Sequence, residues 1–112
     1  MTARYIQRGD AMDYTPDHDV RAGDIVRIGY FTGVAKLDIK AGEQGAIALV
    51  GVYQVKLADN VRIEAGGFVY FDPDTGLCWP DMPRNPKAFV LGFAVDDIEF
   101  TVPGYACVRL KN

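Results

Sequence analysis

The chain reads as an all-β protein, a compact single-domain antiparallel β-barrel or sandwich with short strands and at most one short helix. Two observations carry that reading. Twelve glycines punctuate 112 residues at short intervals, and the runs between them are rich in Val, Ile, Tyr and Phe, which is how short strands joined by turns look. Several of those runs also alternate with period two, the mark of a strand with one buried and one wetter face.

The candidate strands are Asp24–Gly29, Gly33–Ile39, Glu43–Val50, Gly51–Leu57, Gly67–Phe71, Gly76–Trp79, Ala88–Val95 and Glu99–Leu110, the last interrupted near Pro103-Gly104. In the fourth, Tyr53, Val55 and Leu57 share one face and Gln54 and Lys56 the other. In the last, Ala106, Val108 and Leu110 oppose Tyr105, Cys107 and Arg109. Phe68-Val69-Tyr70-Phe71 is apolar on both faces, which suits a central strand or one pressed against a neighbouring subunit. The one candidate for a helical turn is Leu57–Glu64, with Asp59 or Asn60 as its cap. Pro80 to Pro86 is the most loop-like stretch. Ala22-Gly23-Asp24, Ala41-Gly42-Glu43 and Ala65-Gly66-Gly67 each precede a strand, and a glycine there permits the positive φ of a turn. Their spacings of 19 and 24 residues are unequal, so they mark repeated turn chemistry and not a solenoid. Residues 1–9 are expected to form an N-terminal arm and residues 10–112 a single β domain.

A chain of 112 residues buries roughly two thirds of its unfolded surface and needs no staples. Apolar residues at 49% exclude a disordered chain. Twelve basic residues are scattered among fifteen acidic ones, for a net charge of −3. Neither nucleic acid nor an anionic membrane surface is then an expected partner. No run approaches the ~20 apolar residues of a membrane span. The opening Met1–Asp10 has no apolar core of a signal peptide, so the expectation is a soluble chain made in a cytoplasm.

Chemistry-bearing motifs are sparse. The chain has one histidine, His18, two distant cysteines, Cys78 and Cys107, and no serine. That set does not make a tetrahedral zinc site or a serine triad, and both thiols are expected to be reduced and structural. Neither G-x-x-x-x-G-K-[ST] nor a helix-opening G-x-G-x-x-G occurs, so no cofactor, no metal and no catalytic residue is expected. Asp74-Thr75-Gly76 carries the signature tripeptide of aspartic proteases, whose paired carboxylates share a proton. Here it follows Asp72-Pro73, which favours a hairpin loop between Phe71 and Leu77; a homodimeric protease using Asp74 is the enzyme alternative. Asp10, Asp13, Asp17 and Asp19 around His18 lack the calcium-loop pattern and read as a solvated loop. A glycan- or host-surface-binding module is a further alternative, favoured if Trp79 and Tyr105 share one concave patch.

Seven segments in order resemble one family of small phage proteins. Tyr5-Ile6-Gln7-Arg8-Gly9-Asp10 resembles its Y-I-Q-x-G-D opening, and Ala22-Gly23-Asp24-Ile25-Val26 its S/A-G-D-V-V segment. Gly33-Val34-Ala35 with Asp38-Ile39-Lys40-Ala41-Gly42-Glu43-Gln44-Gly45 is similar to G-V-A-x-x-D-I-x-A-G-E-x-G. Gly51-Val52-Tyr53, Val69-Tyr70-Phe71-Asp72 with Thr75-Gly76, Leu91-Gly92-Phe93-Ala94 and Val108-Arg109-Leu110 complete the series. The matches run from residue 4 to residue 110; Tyr14–Asp19 and Cys78–Lys87 depart from the pattern. The family is the phage capsid decoration or cement proteins, found in phage and prophage structural-gene neighbourhoods. Some members carry a recombinase-like label that the missing phosphate loop contradicts. The resemblance implies a non-enzymatic virion protein that binds the outside of a capsid and stabilises it. Its implied partner is the major capsid protein, and it is assembled in the bacterial host cytoplasm. Such proteins oligomerise with closed symmetry, so a homotrimer is expected, with a dimer as the alternative. Tyr5, Ile6 and Gln7 are the candidate capsid-contact residues, pairing with a capsid strand by β-augmentation.

Overall fold

A computed structural model of the chain describes residues 2–6, 9–98 and 104–112. Among them there is no helix, and so none long and apolar enough to cross a membrane. Nine strands form two antiparallel sheets. The chain divides into two units, Met1–Val50 and Gly51–Asn112, with one sheet in each.

The first unit holds β1 (Ala11–Tyr14), β2 (Ile25–Ile28), β3 (Phe31–Ala35) and β4 (Gly45–Ala48), in the order β1-β4-β3-β2. Val20, Val26, Ala35, Ile39, Ile47 and Leu49 make its core, with Met12, Tyr14 and Ile28 packed against them. Thr32 to Ala35 are all buried, so β3 is covered on both faces. β1 is the strand that the acidic residues hid. Asp13 points outward between Met12 and Tyr14, and its partner across the ladder is Ala46. The expected solvated loop from Asp10 to Asp19 therefore begins with a strand. The signal was present in sequence, since Met12 and Tyr14 flank Asp13 with period two.

The second unit holds β5 (Val52–Lys56), β6 (Phe68–Asp72), β7 (Leu77–Trp79), β8 (Phe89–Ala94) and β9 (Tyr105–Leu110), in the order β5-β9-β8-β6-β7. Val55, Leu57, Val69, Ala94, Ala106, Val108 and Leu110 are buried residues on one sheet face, the face that alternation assigns to β5 and β9, and Leu91 is buried at the bulge between β6 and β8. β6 lies between β8 and β7 and is paired along both edges. The outer strands β5 and β7 meet at a single bridge, Leu57 to Cys78. One bridge is not a ladder, so neither sheet closes into a barrel. The expected helical turn over Leu57–Glu64 is absent. Leu57 and Ile63 instead form bridges to Cys78 and Ile98, and Asn60 turns the chain with φ 57°. Asparagine tolerates that left-handed conformation, and two bridges hold the segment extended. β9 is described from Tyr105; residues 99–103 of the expected strand lie outside the described residues.

All three Ala-Gly turns adopt the expected positive φ, at Gly23 (89°), Gly42 (81°) and Gly66 (82°). Each is also held by a carboxylate from a crossing segment. Ala22 N donates to Asp38 at 2.8 Å, Ala41 N to Asp19 at 3.0 Å, and Ala65 N to Asp97 at 2.8 Å. Beside each bond runs a backbone bridge, Val20 to Ile39 in the first unit and Ile63 to Ile98 in the second. In the first unit the bracket is reciprocal: Asp19-Val20-x-Ala22-Gly23 and Asp38-Ile39-x-Ala41-Gly42 grip each other.

Gly92 marks the tightest crossing. A methyl group there would run into the carbonyl oxygen of Arg109 on β9, and backbone cannot step aside as a side chain can. Gly92→Ala is expected to destabilise the protein by roughly 2–3 kcal/mol. Asp38→Ala, which frees one turn amide, is expected to cost about 1 kcal/mol. Urea unfolding followed by far-ultraviolet circular dichroism measures both.

Candidate functional site

Residues 2–6 precede β1 in the chain. Tyr5 and Ile6 are 78% and 76% exposed, an unusual state for two adjoining large apolar residues. With Asp10, Met12 and Asp13 they line an open groove of about 690 Å³. Gln7, the third expected contact residue, lies outside the described residues. β1 pairs with β4 on one side only, and among the described residues no strand takes its other edge. A free edge presents backbone N–H and C=O groups to a partner strand, and here two exposed apolar side chains precede it. Asp13 stands exposed on the edge strand, a charge that discourages indiscriminate edge-to-edge pairing.

The other acidic residues of this stretch have local duties. Asp19 accepts the Ala41 amide, as above. Asp17 accepts from His18 Nδ1 at 2.7 Å, and that hydrogen bond, with the imidazole's charge, lowers the pKa of Asp17. Both side chains are largely exposed. Among the described residues no group of three or more His, Cys, Asp or Glu side chains converges as a metal site would.

Asp74 lies in the hairpin turn between β6 and β7, as the proline-containing loop predicts. Asp72 organises that turn. Its side chain accepts the Asp74 amide at 2.9 Å and Asn85 Nδ2 at 2.8 Å, while its carbonyl accepts the Gly76 amide at 2.8 Å. Asn85 Nδ2 also donates to Asp74 at 2.7 Å, and Asn85 Oδ1 accepts the Lys87 amide at 3.0 Å. Asn85 thus ties the proline-rich loop to the hairpin, a role that no sequence motif announced. Cys78 is buried, and burial pushes its thiol up to about 12, which makes it inert. Cys107 is half-buried, and both thiols are free. Trp79 lies on β7 and Tyr105 on β9, with β6 and β8 between them in the strand order.

Comparison with known proteins decides among the readings. The sequence model of one family, described as phage cement protein, matches residues 6–100. The chain belongs to the phage cement protein family. It is accordingly a structural, capsid-stabilising protein of a phage particle. No curated protein and no solved structure matches the chain. The match begins at Ile6 and spans both units, so Ile6 and the Asp72–Asn85 loop clamp of this cement protein fall inside it, while Tyr5 lies before it.

The Asn85 hydrogen bond is the largest influence holding the Asp72 pKa below its ordinary value of 3.8. A depressed carboxylate pKa stabilises the folded state above the unfolded value, and that contribution disappears as pH falls through the folded value. Asn85→Ala is therefore expected to be less stable than the parent by a constant margin from pH 5 to pH 7. The margin should narrow below pH ~4. Thermal unfolding of the pair across that pH range provides the measurement.

Proposed function

We propose that this protein binds the outer surface of its phage's assembled capsid through the N-terminal arm, and that it acts there without catalysis. One observation carries the proposal: the exposed pair Tyr5-Ile6 lines one groove with Met12 and Asp13 of β1, whose other edge no strand takes among the described residues. An extended segment with exposed side chains adds readily to a sheet edge. The partner by this reading is the major capsid protein, met in the bacterial host cytoplasm where shells assemble. Backbone hydrogen bonds supply affinity, and Tyr5, Ile6 and Gln7 supply side-chain selectivity. The exposed residues of the segments 14–19 and 78–87, where the sequence departs from the family pattern, are the surfaces by which this member suits its own shell.

Stabilisation follows from mass action. A ligand that binds the assembled lattice better than free capsomers shifts the balance toward the lattice. Many copies act together, so each contact can be modest. Closed oligomers would raise that multiplicity. Catalysis is not needed for any of this, and the Asp72–Asn85 clamp gives Asp74 a structural occupation.

Deleting residues 2–8 is expected to abolish co-sedimentation with capsids of the source phage while leaving the circular dichroism spectrum unchanged. Undiminished co-sedimentation would overturn the arm's role. Asp74→Asn should bind capsids as the parent does; an accompanying loss of peptide hydrolysis would revive the protease alternative.

A further inference from the structure

The outward face of the five-stranded sheet carries an apolar surface that the arm does not use. Val69, Ala94, Val108 and Leu110 point inward and are buried. Alternation then sends Phe68, Tyr70, Phe93 and Arg109 outward. The registers place four outward residues in one row: Val52 opposite Arg109, Arg109 opposite Phe93, and Phe93 opposite Phe68. The Phe68 ring lies 5.3 Å from Phe93 and 6.3 Å from Tyr70, and Tyr70 stands opposite Trp79. Four aromatic residues on three adjacent strands thus form one cluster. Phe68 is 53% and Val52 56% exposed. A contiguous apolar patch marks an interaction site, where scattered exposed residues would not.

The charges around this cluster tell what covers it. Arg109 lies on one side, one strand beyond Phe93. On the other side of Phe68 the chain leaves β7 as Pro80-Asp81, and Asp81, Glu64 and Arg62 border the same depression as Phe68, two acidic groups to one basic. At about 4.8 Å between strands, Arg109 and Asp81 are each roughly 7 Å from the line between Phe93 and Phe68. A two-fold axis parallel to the sheet along that line, about 5 Å outside its outer face, reverses the row. It sets Arg109 of one copy against Asp81 of the second copy, and the reverse pair forms by symmetry. Between them Phe93 of one copy meets Phe68 of the other, and the reverse contact again forms by symmetry. A self-complementary patch is what an isologous interface requires, and opposite charges at its rim set its register.

We propose that this face is a two-fold interface between two copies of the chain. It uses residues of the second unit only, so it does not depend on the arm reading and leaves both arms free. A dimer carrying two arms would bind a lattice with higher avidity than one arm allows.

Sedimentation equilibrium of the full chain in the micromolar range tests the proposal. The parent is expected at twice the chain mass, and Trp79, the only tryptophan, should shift its emission to the red on dilution. Phe68→Glu is expected to sediment as a monomer with an unchanged circular dichroism spectrum. Arg109→Asp and Asp81→Arg should each weaken dimerisation by about tenfold, and combining them should restore it to within about threefold of the parent. That reciprocal rescue does not depend on how Phe68→Glu folds. Deleting residues 2–8 should leave the dimer intact, which separates this test from that of the arm. A monomeric or trimeric parent, a dimer indifferent to Phe68→Glu, or a double variant weaker than either single one would overturn the proposal. So would a monomeric parent whose Phe68→Glu variant loses capsid binding, since the shell would then be the occupant.

Discussion

The structure depends on a bond between a carboxylate and a turn amide across a backbone bridge. Asp19, Asp38 and Asp97 each accept the amide of the alanine that precedes a left-handed glycine. The bridge fixes two segments side by side, and the carboxylate then fixes where one of them may turn. Strands of three to six residues contain few ladder hydrogen bonds with which to set their own register. A sheet with one buried face is intolerant of a one-residue slip, because every side chain would change faces. The brackets remove that freedom at the point where the chain enters β2, β4 and β6. In the first unit two brackets lock each other, so the segments 19–23 and 38–42 form one knot from which the sheet extends.

Within the second unit the same economy of length places demands on packing. β8 lies between β6 and β9, and Gly92 lets the β9 backbone approach at the carbonyl of Arg109. The β6–β8 ladder shifts register between Val69 and Tyr70. A bulge of this kind increases local twist, and the sheet coils far enough for Leu57 to reach Cys78 from the opposite edge. The inward face becomes a filled aliphatic core. The outward face then collects Phe68, Tyr70, Phe93 and Trp79. Core and proposed contact face arise from one alternation.

Membership of the cement family gives these features a common purpose. A capsid-stabilising protein works by contact, and its working parts are unsatisfied edges and apolar surfaces. On the proposed reading, the exposed pair Tyr5-Ile6, the β1 edge that no described strand takes and the aromatic sheet face are liabilities in an isolated protein and assets in an assembled one. The groups with catalytic appearance have structural occupations instead: Asp74 sits in a clamped turn, Asp17 and His18 pair at the surface, and Cys78 is buried in a state that disfavours its thiolate.

By itself the sequence determined the all-β class, the sites of eight strands, the three Ala-Gly turns and the hairpin at Asp72–Gly76. These follow from local physics: alternation over two or more residue pairs, and the backbone freedom of glycine or the restriction of proline. The family, too, was legible in segments spread along the chain. Strand β1 escaped because Ala-Met-Asp-Tyr alternates over only four residues amid acidic neighbours, too short a run to outweigh composition. Leu57–Glu64 looked helical because its apolar spacing suits a turn, and two bridges to distant segments overrode that local preference. Only the tertiary structure decided which carboxylates bracket the turns, that Asn85 clamps Asp72 from thirteen residues away, and that Arg109, Phe93 and Phe68 stand in one row. Those are pairings between distant segments, and no property of either segment alone selects the other until the strand order brings them together.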